Sequence, residues 1–99
     1  MSKILTKVSK QKLRIPNKFE VLLLNDDYTS MDFVVKVLKK FFNKEFLVAE
    51  TIMLKIHMDG EGVCGVYSFD VAQTKVSQVL EYSRKNDQPL MSVLREVIS

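Results

Sequence analysis

Only Asn43-Lys44-Glu45 separates two segments whose apolar residues recur at helical spacing. In Met31 to Phe42, the side carrying Val34, Val35, Leu38, Phe41 and Phe42 is apolar, while Lys36, Lys39 and Lys40 lie on the other side. Phe46 to Met58 repeats the pattern through Ala49, Ile52, Met53 and Ile56, and Gly60 stands where that helix should stop. So short a connection predicts an antiparallel helix hairpin. On either side of it lie short apolar runs with β-branched and aromatic content, Phe19 to Leu24 and, after the turn Asp59-Gly60-Glu61-Gly62, Val63 to Ser68; both read as strands. Asp70 is then the N-cap or first-turn acid of a third helix, from about Val71 to Lys85, with Ala72, Val76, Val79 and Leu80 on one face. Asn86-Asp87-Gln88-Pro89 breaks that helix, and Pro89 with the β-branched Val93, Val97 and Ile98 favours an edge strand over Leu90 to Ile98. The order β-α-α-β-α-β predicts an α+β domain, a small, mainly antiparallel three-stranded sheet with three helices packed on one face.

The 99 residues, 46% hydrophobic and 27% charged, suffice for one core and one domain. Their formal charge of +3 is unevenly spread: Lys3, Lys7, Lys10, Lys12, Arg14 and Lys18 all precede the first acid, Glu20. The remainder keeps 9 basic and 12 acidic residues, a balance of −3, which argues against a nucleic-acid-binding face on the fold. Residues 1–18 carry scattered apolar residues without a period and end beyond Pro16, so a flexible basic tail is expected there, with the folded domain over 19–99. The single cysteine, Cys64, lies in the apolar run Val63-Cys64-Gly65-Val66-Tyr67 and reads as a buried structural thiol. No apolar run approaches a membrane span and no secretory h-region opens the chain, so the expected compartment is the cytoplasm. Gly-rich phosphate loops, CxxC pairs and HExxH motifs are absent from the sequence, and neither cofactor nor metal is expected.

Between the first strand and the first helix lies Asn25-Asp26-Asp27-Tyr28-Thr29-Ser30. Asn and Asp are turn formers, and Thr29 followed by Asp32 has the look of a capping box. Two adjacent carboxylates beside Tyr28 and Met31 offer more than a turn needs: acceptors next to an apolar lid suit a ligand with a cationic head and an apolar tail. On the second helix Met53, Ile56 and His57 are spaced i, i+3 and i+4 and share a face, so His57 borders an apolar stripe. A lone His there is usually structural, and nothing in the spacing brings it to the loop.

The segments LLLNDDYTSMDFV and IMLKIHMDGEGVCGVYSFDVAQTKV resemble the ClpS adaptor family, over about residues 17 to 97 and in the family's order. The resemblance implies recognition of protein N-termini and their delivery to the Clp protease, by a protein that is no enzyme. Residue by residue it implies that Asn25, Asp26, Asp27 and His57 receive the α-amino group, with Met31, Val34, Met53, Ile56 and Leu90 lining a hole for the first side chain and Thr29 at its rim. It further implies that Asp70 and Lys75 contact the N-terminal domain of a ClpA-type unfoldase. On their own those two read as a cap and a solvated helix residue. The expected partners are that unfoldase and substrates beginning with Phe, Tyr, Trp or Leu, with no nucleic acid and no membrane, and the adaptor is expected to be a monomer. Three departures stand out: Ser30 where Pro is common, predicting a looser loop; Ile56 where Val is common, predicting a narrower hole; and Asp70 where Glu is usual. Two other readings stand beside the resemblance. One is a small hydrolase using Asp26, Asp27 and His57 as metal ligands or acid-base groups, for which a single His is a poor set. The other is an interaction module without a pocket, its Met and Phe residues serving as core alone.

Overall fold

The computed structural model describes residues 17–98. The elements are β1 (Lys18–Leu24), α1 (Met31–Phe42), α2 (Phe46–Asp59), β2 (Glu61–Tyr67), α3 (Phe69–Lys85) and β3 (Met91–Val97), the expected α+β order. The segment after Pro89 is indeed a strand. The tail expected over 1–18 lies, through residue 16, outside the described residues, and Lys18 already pairs with Val97 in the sheet.

The sheet order is β2-β1-β3, with both pairs antiparallel, so β1 is central. One face of β1 sends Val21 and Leu23 into a core shared with Phe33, Val37 and Leu38 of α1, Ala49 and Ile56 of α2, and Ala72 and Val79 of α3. On the other face Arg95 of β3 reaches over β1 to Glu20 and on to Glu61 of β2, at 2.9 Å each. The β1–β2 register slips by one residue: Val21 pairs with Gly65 and Leu22 with Val63, which leaves Cys64 as the bulged residue. Its thiol is buried, and that burial pushes its pKa up to about 12, in keeping with a structural cysteine.

One helix start differs from expectation, and a second is decided between two readings. The N-cap of α1 is Ser30 rather than Thr29: the Ser30 hydroxyl accepts the Phe33 N–H at 3.1 Å. Ser68 occupies the N-cap position of α3 without a side-chain bond, so Asp70 is a first-turn acid, favourable to the helix dipole, and not the cap. The hairpin turn closes through Asn43, left-handed at φ 54°, whose N–H donates to the Leu38 carbonyl. No helix among the described residues is long and apolar enough to cross a membrane.

Candidate functional site

Two tethers and one side chain shape the loop after β1. The Asp26 carboxylate accepts the Tyr28 N–H at 2.8 Å, the Thr29 N–H at 2.6 Å and the Thr29 hydroxyl at 2.7 Å, folding Asp26 to Thr29 into an Asx-type turn. Partial burial pushes this carboxyl up, but the bonds from Thr29 and Tyr28 outweigh it and hold the group below the usual carboxylate range. At one end of the loop the Asn25 N–H donates to the Gly60 carbonyl at 2.9 Å. At the other, the Ser30 N–H donates to the Gln88 side chain at 3.2 Å. Proline in place of Ser30 would lack both that N–H and the capping hydroxyl, so the serine is tied at two points where looseness was expected.

The Asn25 tether is possible because of how α2 ends. Gly60 sits in the left-handed region at φ 92°, its own N–H donating to Ile56, and from there its carbonyl meets the loop. The loop is thereby drawn to the last turn of α2, which carries His57. Between them lies a cavity of about 230 Å³. Its polar lining is Asn25, Asp26, Asp27, Thr29 and His57, and its apolar lining Met31, Val34, Met53 and Ile56. Met31 and His57 are exposed, whereas Met53 and Ile56 are buried. Sequence spacing alone could not join loop and helix; the folded chain does.

Leu90, expected in the lining, is not among the lining residues; it is buried in the hydrophobic core with 1% exposure. Asp70 and Lys75 do not line the cavity either. Lys75 is more than a solvated residue, because its ammonium donates to the Phe41 carbonyl at 2.7 Å and sits over the Phe42 and Tyr67 rings at 5.9 and 5.8 Å, holding the last turn of α1. A contribution missed from sequence is Gly62, where a Cβ would meet the Ile56 side chain at 2.7 Å. The bare backbone at Gly62 is what gives Ile56 its room.

Acceptors gathered over an apolar floor can hold a small cation that carries a hydrophobic group. At about 230 Å³ the space suits one side chain and its head group rather than a larger ligand. Among the described residues no group of three or more His, Cys, Asp or Glu side chains is arranged to hold a metal ion.

A family model described as "ATP-dependent Clp protease adaptor protein ClpS" matches residues 14–93. The chain is 53% identical over 93 residues to the ATP-dependent Clp protease adapter protein ClpS of Nitrosospira multiformis, covering 94% of this chain and 91% of that one. It is 57% identical over 81 residues to the protein of the same description from Alkalilimnicola ehrlichii, covering 82% of this chain and 76% of that one. The solved structure of Agrobacterium tumefaciens ClpS2 bound to L-phenylalaninamide superposes with a TM-score of 0.81 at 32% identity, over 84% of this chain and 100% of that one.

Proposed function

The chain belongs to the ClpS family of Clp protease adaptors, and from that premise we propose that it binds the free N-terminus of proteins beginning with Phe, Tyr, Trp or Leu. It hands them, in the cytoplasm, to a ClpA-type AAA+ unfoldase and its ClpP peptidase, and catalyses no step itself. The single observation that carries this reading is the cavity that Asn25, Asp27 and His57 line together with Met31, Val34, Met53 and Ile56. L-phenylalaninamide, the ligand of the Agrobacterium relative, pairs a free α-amino group with an aromatic side chain, the combination this cavity suits.

The head group is an ammonium with three donors at neutral pH, since a free α-amino group titrates at about 7.7 to 8.0. In this reading Asn25 offers a carbonyl, Asp27 a carboxylate and a neutral His57 one ring nitrogen. Asp26 shapes the loop and adds its charge, its oxygens already engaged by Tyr28 and Thr29. Each bond to the charged donor is worth about 1.5 to 3 kcal/mol. Burial of a Phe or Leu side chain adds about 1.5 to 3 kcal/mol. The unfoldase contact is assigned to the face around Asp70 and Lys75, the latter also anchoring the last turn of α1. The adaptor acts as a monomer, and residues 1–14 serve delivery without contributing to peptide affinity.

Fluorescence anisotropy with a peptide beginning in Phe and its N-acetylated twin tests the reading. The free amine should bind and the acetylated form should lose about tenfold or more, because acetylation removes the positive charge and two of the three N–H donors. Equal affinities would sink the head-group assignment.

A further inference from the structure

Beside the cavity lies a second depression, of about 630 Å³, along the outer side of α1. Lys36, Lys39 and Lys40 line it together with Phe46, Met53 and Tyr82. Met53 belongs to both walls, so the groove begins where the cavity ends. No salt bridge among the described residues takes any of the three lysines. Instead Lys39 lies over the Phe46 ring at 5.8 Å and Lys40 over Tyr82 at 5.5 Å, contacts that position an ammonium without neutralising it. Among the described residues Asp32, at the end next to Met31, and Glu50, on the α2 side, are the only acids lining the groove.

We propose that this groove takes the substrate residues that follow the first, and that it selects acidic side chains at about positions 3 to 5. The inference rests on the N-terminus-binding reading above and specifies its substrate class. From Asp32 to Lys40 the helix rises about 12 Å, which an extended peptide spans in three to four residues. A chain whose first side chain fills the cavity leaves over Met53, passes Asp32 at its second residue and reaches the lysines beyond. Acids there meet three ammonium groups that outnumber the two lining carboxylates and are held in no salt bridge, whereas lysines there would be repelled.

The test uses the full chain and three peptides with free N-terminal Phe, identical except for Glu, Gln or Lys at positions 3 to 5. The Glu peptide should bind about 3- to 10-fold more tightly than the Gln peptide at low salt, as expected for several exposed charge pairs acting together, and the Lys peptide more weakly. The advantage should shrink toward unity in about 0.5 M salt, where screening is strong. The triple variant Lys36→Gln, Lys39→Gln, Lys40→Gln should abolish it while the Gln peptide still binds. Equal affinities in the wild-type protein, or an advantage that survives in the triple variant, overturn the inference and leave the head-group reading standing. Tight, lysine-dependent binding of an N-acetylated Glu peptide also overturns it, by making the groove a dock for an acidic partner rather than for substrate. If no free-amine peptide binds at all, the head-group reading falls first and takes this one with it.

Discussion

Asp26 is the residue on which the loop's shape depends, because three donors from Tyr28 and Thr29 converge on its carboxylate. Asp26→Ala should therefore unlock the turn, at a cost of about 1 to 2 kcal/mol in local stability. Amide hydrogen exchange reads this directly: Tyr28 and Thr29 should lose protection while core amides in β1 keep theirs, and unchanged protection would mean the backbone holds the turn unaided. The pH dependence has a definite sign. A carboxyl held below its ordinary value stabilises the turn fully above an unfolded pKa of about 3.9, and that contribution fades as pH falls through the lowered folded value. The same side chain explains why the cap was misread. Thr29 and Ser30 are both capping types, one residue apart, and no local rule ranks them. The competition is decided when Asp26 captures the Thr29 hydroxyl, leaving Ser30 to receive the Phe33 N–H. The role of Lys75 is hidden in the sequence for a related reason, since its acceptor, the Phe41 carbonyl, is a backbone atom 34 residues away.

At the scale of elements, the helices and strands were legible because each carries its own period. The hairpin followed from a three-residue connection, and the last strand from Pro89 and its β-branched residues. What joins the elements was not legible. The bond from Asn25 to Gly60 runs between two backbone atoms, so no side-chain pattern announces it. Leu90 looks the same in sequence whether it lines a hole or supports its floor, and the fold puts it in the core. Gly62 is where element packing and the site meet. Gly62→Ala would set a methyl group 2.7 Å from an Ile56 side-chain carbon, so Ile56 must shift against its neighbours. Because Ile56 also lines the cavity, the variant should lose affinity for peptides beginning with Phe or Trp by more than for those beginning with Leu, at a stability cost of about 1 to 3 kcal/mol. Titration of the three peptides against a variant checked by thermal melting decides this; a uniform loss for all three would locate the effect in general destabilisation.

For the molecule as a whole, the governing feature is that β1, the earliest of the described elements in the chain, is the middle strand of the sheet. Its partners lie far downstream: Leu22 faces Val63 on one side and Val93 on the other, and Lys18 pairs with Val97. A chain ending at residue 89 would lack β3 together with the buried Leu90 and Ser92, exposing one full edge of β1. Such a chain should show no cooperative unfolding transition by circular dichroism, since domains of this size have only about 5 to 15 kcal/mol in hand. A sharp melt would indicate that the helices and the β1–β2 pair fold without it. During synthesis, then, the earliest of the described strands to leave the ribosome is the one that must wait longest, its hydrogen-bonding edges bare until the rest of the domain has emerged. With pairings this distant in sequence, folding belongs on the slower side for a domain of this length, and an adaptor for a protease passes through its own interval of exposed, unpaired chain before it can present anyone else's.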